Sequence, residues 1–463
     1  MHMRNIKKTF PIFAILTLLT GFICCDKAFC ISVNQEKELS RKIMIQILQH
    51  FDVIEDPVIS QYIQKVGNKI VSVVPAQPFA YHFYILNQSS YNAFAVPGGN
   101  IFINSGLVGA LSDEEELAGI LAHEVAHVAC RHISQKIDRS KKINIATLAG
   151  IAAGIFLGAG PMAGALVTGS LAAGQSLSLA YSREDETEAD RLGLTYLTAA
   201  GYSGTGLLNS LKKIRTRQWF GSEQVPTYLN THPASEQRIS YIGSWLQRNG
   251  KKGKKAPVSS GYNFKRAQTR LIALYAQQDT AIAKFKTKIA KFPNSSLAHY
   301  GYGLVLDRIG NRKKAILYFK KALEKTAFEP YILADIGRTY FFDRQFNKAF
   351  SSLKGSISIA PDYSESHFFL GQTQIATKRL KEALNSFEKV IRIKKDHNQA
   401  IYFLGKTYGK LGNLGNAHFY LGLYYKNEHN LKNMAFHLQK AIKYLKDPKK
   451  RAKAEEMLKK PFS

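Results

Sequence analysis

From about residue 263 onward the chain repeats itself every 34 residues. Gly303, Gly337, Gly371 and Gly405 fall at that interval, as do Ala281, Ala315, Ala349, Ala383 and Ala417. Phe285, Phe319 and Phe387 recur four residues after their alanines, with Leu353 and Leu421 in the equivalent places. Small residues at fixed places let the two helices of each unit approach closely. A single helical pair cannot bury its apolar face, so consecutive units must stack into a solenoid. Pro293 and Pro361 are expected to end helices. After Gly405 the register reads as drifting, with Gly422 and Tyr425 beginning another helix half a period later. On this reading the Tyr and Phe residues are mostly core, not a binding surface.

The period is that of tetratricopeptide repeats, which predicts an all-α solenoid over residues 263–463. Residues 249–262, opening Asn249-Gly250-Lys251-Lys252-Gly253-Lys254-Lys255, read as a basic flexible linker. Charge is unevenly shared across this boundary. Residues 31–248 hold 18 basic and 18 acidic side chains, whereas residues 249–463 hold 42 and 15, a net +27. Such an excess favours an acidic protein partner or an anionic membrane surface. Nucleic acid is not expected, because no nucleic-acid motif accompanies the charge and the N-terminus points to export.

Residues 1–30 have Arg4, Lys7 and Lys8, then an almost wholly apolar run from Phe10 to Cys25, then Ala28-Phe29-Cys30. That is the pattern of a cleaved signal peptide, and the run is short against the ~20 residues a membrane span needs. A periplasmic location is expected. Cleavage would leave Cys130 as the only cysteine, read as a small buried hydrophobe. The uncharged Ala- and Gly-rich stretch from Ile143 to Ser182 reads as a helical hairpin broken near Gly158–Pro161. Its faces would pack on the first domain or touch a membrane.

Chemistry enters at His123-Glu124-Val125-Ala126-His127. Two histidines four apart share one face of a helix, so both imidazoles can reach one ion. Glu124 can hold an attacking water as general base. Hydrolytic zinc sites keep three protein ligands and an open position, and Glu186 is the candidate for the third. Asp190, one turn later, is placed to accept a proton from a ligand imidazole. Glu184 and Glu188 point elsewhere and are expected to be solvated. His132, five residues after His127, is read as structural.

These segments together resemble the M48 family of zinc metalloproteases. His123–His127 and Ser182–Asp190 carry the likeness, joined by Asn92-Ala93-Phe94-Ala95-Val96-Pro97-Gly98-Gly99 and by Thr231-His232-Pro233 with Arg238-Ile239. It covers roughly residues 35 to 248. The resemblance implies one Zn2+ per chain on His123, His127 and Glu186, with Glu124 as base and Asp190 orienting a ligand. It implies an α+β zincin-like domain over residues 31–248, helical with a small sheet, in a chain that is mainly α. Asn92, Ala93, Phe94, Ala95 and Val96 would offer an edge to an extended substrate, or would be an ordinary edge strand stopped by a turn. His232 would stabilise an oxyanion, bind zinc as a fourth ligand that holds the enzyme off, or pack beside Pro233.

A signal sequence, this domain and helical repeats resemble the periplasmic M48 group that works in β-barrel assembly. That implies cleavage of misfolded or stalled outer-membrane proteins, with the repeats docking clients or assembly machinery. The very basic repeats and the lack of a cysteine pair depart from that group. A chaperone-like scaffold with a latent zinc site is the alternative.

Overall fold

The computed structural model describes residues 31–139, 181–219, 227–233, 236–249 and 258–460. The expectations for the signal peptide, for most of the Ile143–Ser182 hairpin and for linker residues 250–257 lie outside these. The chain divides into two compact units, one running to Ser260 and one from Gly261 onward together with Pro57–Ile59.

The first unit has a three-stranded sheet of β1 (His82–Leu86), β2 (Ala93–Val96) and β3 (Asn100–Asn104) in the order β1-β3-β2. β1 runs parallel to β3 and β2 antiparallel. The hairpin between β2 and β3 turns at Gly98 and Gly99, with φ of 81° and 89°, the left-handed region that side chains resist. Register sets Phe94 opposite Phe102, and their rings stack at 5.1 Å. This face packs on Leu39, Ile43 and Ile47 of α1 (Val33–His50).

The remaining helices are α2 (Pro57–Val71), α3 (Ser105–Ala110), α4 (Glu114–Ala129), α5 (His132–Arg139), α6 (Arg183–Ala199), α7 (Thr205–Trp219), α8 (Thr227–Thr231) and α9 (Glu236–Asn249). α4 is the centre of the unit and is buried all round from Glu116 to Val128. Close backbone approaches make this possible. A Cβ on Gly119 would collide with the Leu207 backbone, and one on Gly206 with the Glu115 carbonyl. Asp113 caps α4 by accepting from the Glu116 amide at 3.0 Å, and acidic residues in the first turn complement the helix dipole. The same acids anchor the helix. Glu114 accepts from the Tyr62 and Tyr202 hydroxyls, Glu115 from the Ser203 amide, and Glu116 pairs with Lys213.

The second unit is all helical: α10 (Val258–Tyr275), α11 (Gln278–Lys291), α12 (Ser296–Arg308), α13 (Arg312–Lys325), α14 (Pro330–Phe342), α15 (Phe346–Ile359), α16 (Ser364–Ala376), α17 (Leu380–Ile393), α18 (Asn398–Lys410), α19 (Leu414–Asn427), α20 (Leu431–Tyr444) and α21 (Pro448–Lys459). α10 starts inside the stretch read as linker. Helices beginning at residues 312, 346, 380, 414 and 448 hold the 34-residue interval to the end. The expected drift after Gly405 does not occur: Gly422 and Tyr425 lie inside α19. Gly422 is instead a close-contact point, where a Cβ would come 2.6 Å from the Leu438 side chain.

Each periodic glycine faces the large residue sixteen places on. A Cβ would come 2.7 Å from Phe319 at Gly303, 2.7 Å from Leu353 at Gly337, 2.8 Å from Phe387 at Gly371 and 3.0 Å from Leu421 at Gly405. The repeat is therefore a contact between a glycine and a large apolar side chain, copied along the solenoid. One buried ionic group interrupts this apolar core. Arg270 donates to Tyr300 and Asp335, and the Tyr300 hydroxyl donates to Asp335 at 2.6 Å. Among the described residues no helix is long and apolar enough to cross a membrane.

Candidate metal centre

Two helices and one turn supply the site. α4 presents His123, Glu124 and His127; α6 presents Glu186 and Asp190; His232 follows α8. All six are buried to within 1% of complete exclusion. The capping box of Ser182 and Asp185 fixes where α6 starts, so Glu186 sits in its first turn.

The donor atoms converge. His123 Nε2 and His127 Nε2 lie 3.1 Å apart. Glu186 Oε2 is 3.5 Å from the first and Oε1 is 3.3 Å from the second. His232 adds Nδ1, 3.4 Å from His123 Nε2 and 2.8 Å from Glu186 Oε1. All four donors fall within 4.8 Å of one another. His123 turns its other nitrogen to Asp190 Oδ1, 3.0 Å away. Arg238 of α9 grips Asp190 through Nε at 2.7 Å and Nη2 at 2.8 Å, and also pairs with Glu186.

Burial and charge act in opposition here. For Glu186, burial pushes the carboxyl up, but His232, Arg238 and His123 outweigh it and hold it well below the ordinary range. Asp190 is also held low, because Arg238 more than offsets its burial. Burial raises Glu124, and neither of its carboxylate oxygens has a hydrogen-bond partner. Burial holds His127 well below its ordinary value and so neutral. A neutral imidazole, an ionised carboxylate and a buried carboxyl that accepts no hydrogen bond suit a bound cation beside a proton acceptor.

Two comparisons bear on this arrangement. Residues 57–246 match the sequence profile of peptidase family M48, and residues 297–324 and 364–397 match the tetratricopeptide repeat. The chain carries a peptidase family M48 domain. Among similar proteins, the beta-barrel assembly-enhancing protease of Yersinia pestis is 27% identical over 335 residues, which are 71% of this chain and 66% of that protein. That of Escherichia coli is 29% identical over 247 residues, 53% of this chain and 50% of that one. Mitochondrial metalloendopeptidase OMA1 of Schizosaccharomyces pombe is 29% identical over 188 residues, 40% and 52% of the two chains. The chain thus spans about half to two thirds of the length of the curated relatives it matches.

Within the M48 domain, β2 lies at the sheet edge, yet Asn92, Ala93, Phe94, Ala95 and Val96 are all buried. Pairing with an incoming chain therefore requires whatever covers that edge to move.

Five side chains belong to the centre that residue-type reasoning did not assign to it. His132 does not continue the α4 helix. The helix stops at Ala129, and Arg131 takes a left-handed φ of 54°. That turn is pinned by Glu36, which accepts from Arg131 Nε at 2.8 Å. The reversal aims His132 back at the site, Nδ1 to Nδ1 of His127 at 2.9 Å. Its Nε2 lies 3.2 Å from Glu188 Oε2, so Glu188, though half exposed, is tied to the centre. Tyr181 stacks on His127 with centroids 3.7 Å apart, and Tyr228 on His232 at 4.5 Å. Arg238 was visible only as part of a motif, without a role. The signals were weak: a histidine past a helix end, and aromatic residues flanking the motifs. Cys130, expected to be buried, is only partly so.

Proposed function

We propose that the chain is an exported zinc-dependent endopeptidase of the periplasm that cleaves misfolded or stalled outer-membrane proteins. The observation that carries the reading is the convergence of two imidazoles and the Glu186 carboxylate beside a buried Glu124 whose oxygens accept no hydrogen bond. Ligand atoms held on one zinc at about 2.0–2.1 Å in a tetrahedral array stand about 3.4 Å apart. Spacings of 3.1, 3.3 and 3.5 Å among His123, His127 and Glu186 support that fit.

Zinc held there would polarise the scissile carbonyl and make a nucleophile available from water at neutral pH. Glu124 takes the proton of the attacking water and returns it to the leaving amine. Its burial favours this, since it raises proton affinity and neither oxygen accepts a hydrogen bond. Asp190 holds His123 through Nδ1, so that Nε2 faces the ion, and Arg238 fixes Asp190 in turn. His232 acts as a fourth donor that holds the centre closed. The placement of its Nδ1 among the other ligand atoms supports this role over plain packing beside Pro233. The basic tetratricopeptide unit docks clients or assembly machinery, with an anionic membrane surface as a further contact.

Complete burial of the six site residues favours a second reading, a chaperone-like scaffold whose zinc site is latent. Casein or an unfolded β-barrel protein, incubated with wild type and Glu124→Gln, separates the two. The peptidase reading expects turnover in wild type alone, with equal zinc in both proteins. Equal loss of substrate in both, or in neither, favours the scaffold.

A further inference from the structure

Behind the centre, on the solvent side of His127, stands a second group of metal-ligating side chains. Cys130 Sγ, His132 Nε2 and a Glu188 oxygen lie within 4.8 Å of one another. They come from the end of α4, the start of α5 and the middle of α6. The left-handed turn at Arg131, held by Glu36, is what folds the first two together. Asp185 Oδ1 is 3.9 Å from the same His132 nitrogen, a further oxygen within reach. Glu188 and Cys130 are partly exposed, so a cation can enter from solvent. Arg191 Nη2, 3.7 Å from the other Glu188 oxygen, is itself exposed and able to turn away.

We propose that Cys130, His132 and Glu188 form a second site for a thiophilic divalent cation such as Zn2+, distinct from the centre on His123, His127 and Glu186. Thiolate, imidazole and carboxylate are the three ligand types zinc takes, at about 2.3, 2.0–2.1 and 2.0–2.2 Å. A small inward movement of the partly exposed Glu188 closes the set. Binding releases the Cys130 thiol proton to solvent, while neutral His132 carries its single ring proton on Nδ1 and so leaves Nε2 free for the ion.

A further consequence rests on the proposed zinc centre. With an ion on Nε2, neutral His132 carries its one ring proton on Nδ1. His127, with its own Nε2 on zinc, also carries its proton on Nδ1. The two protons then meet across the 2.9 Å that separates these atoms. Filling the outer site therefore weakens the grip on the inner one.

Cobalt(II) titration of the metal-free full chain tests the site without reference to peptidase activity. The inner ligands contain no sulfur, so a thiolate-to-cobalt charge-transfer band belongs to the outer site. The band is expected after the first equivalent, absent from Cys130→Ser, and retained when Cys24, Cys25 and Cys30 are all serine. Glu188→Gln, at a half-exposed position, is expected to weaken the second equivalent about tenfold or more. A titration without the band, or a band that survives Cys130→Ser, overturns the site. A band accompanied by undiminished retention of the first equivalent overturns the antagonism and leaves the site standing.

Discussion

Arg238 holds Asp190 in a two-armed grip, Nε 2.7 Å from one carboxylate oxygen and Nη2 2.8 Å from the other. Both are buried, and the guanidinium also pairs with Glu186 and donates to the Pro233 carbonyl at 3.1 Å. One side chain thus ties α6, α9 and the His232 turn together. Removing it leaves two carboxylates buried without their cation, a change that typically costs about 3–5 kcal/mol. Arg238→Ala is expected to lower stability by that order in denaturant melts of the metal-free protein. Arg238→Lys keeps the charge but not the fork, and should recover only part of it. A melt unchanged in Arg238→Ala would show that the grip is incidental.

What could be read from the chain followed how local each signal was. The 34-residue repeat was legible because each unit makes the same contact, a glycine against the large residue sixteen places on, at Gly303, Gly337, Gly371 and Gly405. Gly422 misled for the same reason: a glycine half a period away resembles a new helix start until Leu438 is seen above it. His123, Glu124 and His127 were legible from helical spacing alone. Glu186 and Asp190 lie more than fifty residues on; an acidic run opening another helix, with Asp190 one turn after Glu186, made them candidates, and the family resemblance pointed to the same pair. His132 was out of reach. Its position depends on a left-handed Arg131, held by Glu36 from a helix 95 residues earlier.

His232 places Nδ1 among the ligand atoms and Nε2 3.6 Å from a Glu124 oxygen. If it holds the centre closed, its removal opens a position for substrate. His232→Ala is expected to raise casein turnover above wild type and to weaken zinc retention against a chelator. A variant that retains zinc but loses turnover would assign His232 to the oxyanion instead. The two measurements together decide between them.

In the solenoid, Asp335 accepts from both Arg270 and Tyr300, and all three are buried. Asp335→Ala removes the carboxylate that faces the buried Arg270, at a cost of about 3–5 kcal/mol. Replacing Arg270 by Met and Asp335 by Leu together removes both charges and should cost less, since Arg338, 3.4 Å from Asp335, keeps Asp307 at 3.0 Å. Thermal melts of the two variants check this, and a double variant as unstable as Asp335→Ala would refute it.

Metal loading should depend on pH through His123. Burial disfavours its charged form, but Glu186 and Asp190 outweigh burial and push it up to about 9 from an ordinary 6.5. A raised value means the metal-free fold is stabilised by the protonated ring. That contribution is complete below about 6.5 and is lost as pH rises through about 9. The ion needs the same nitrogen pair neutral, so it must displace this proton. His127, held neutral by its burial, adds no such cost. Zinc affinity is therefore expected to climb by up to about tenfold per pH unit between about 6.5 and 9, then level off. Chelator competition at fixed ionic strength measures the slope, and calorimetry in buffers of different ionisation enthalpy counts the released proton. A flat profile over that range would place the proton elsewhere than on His123.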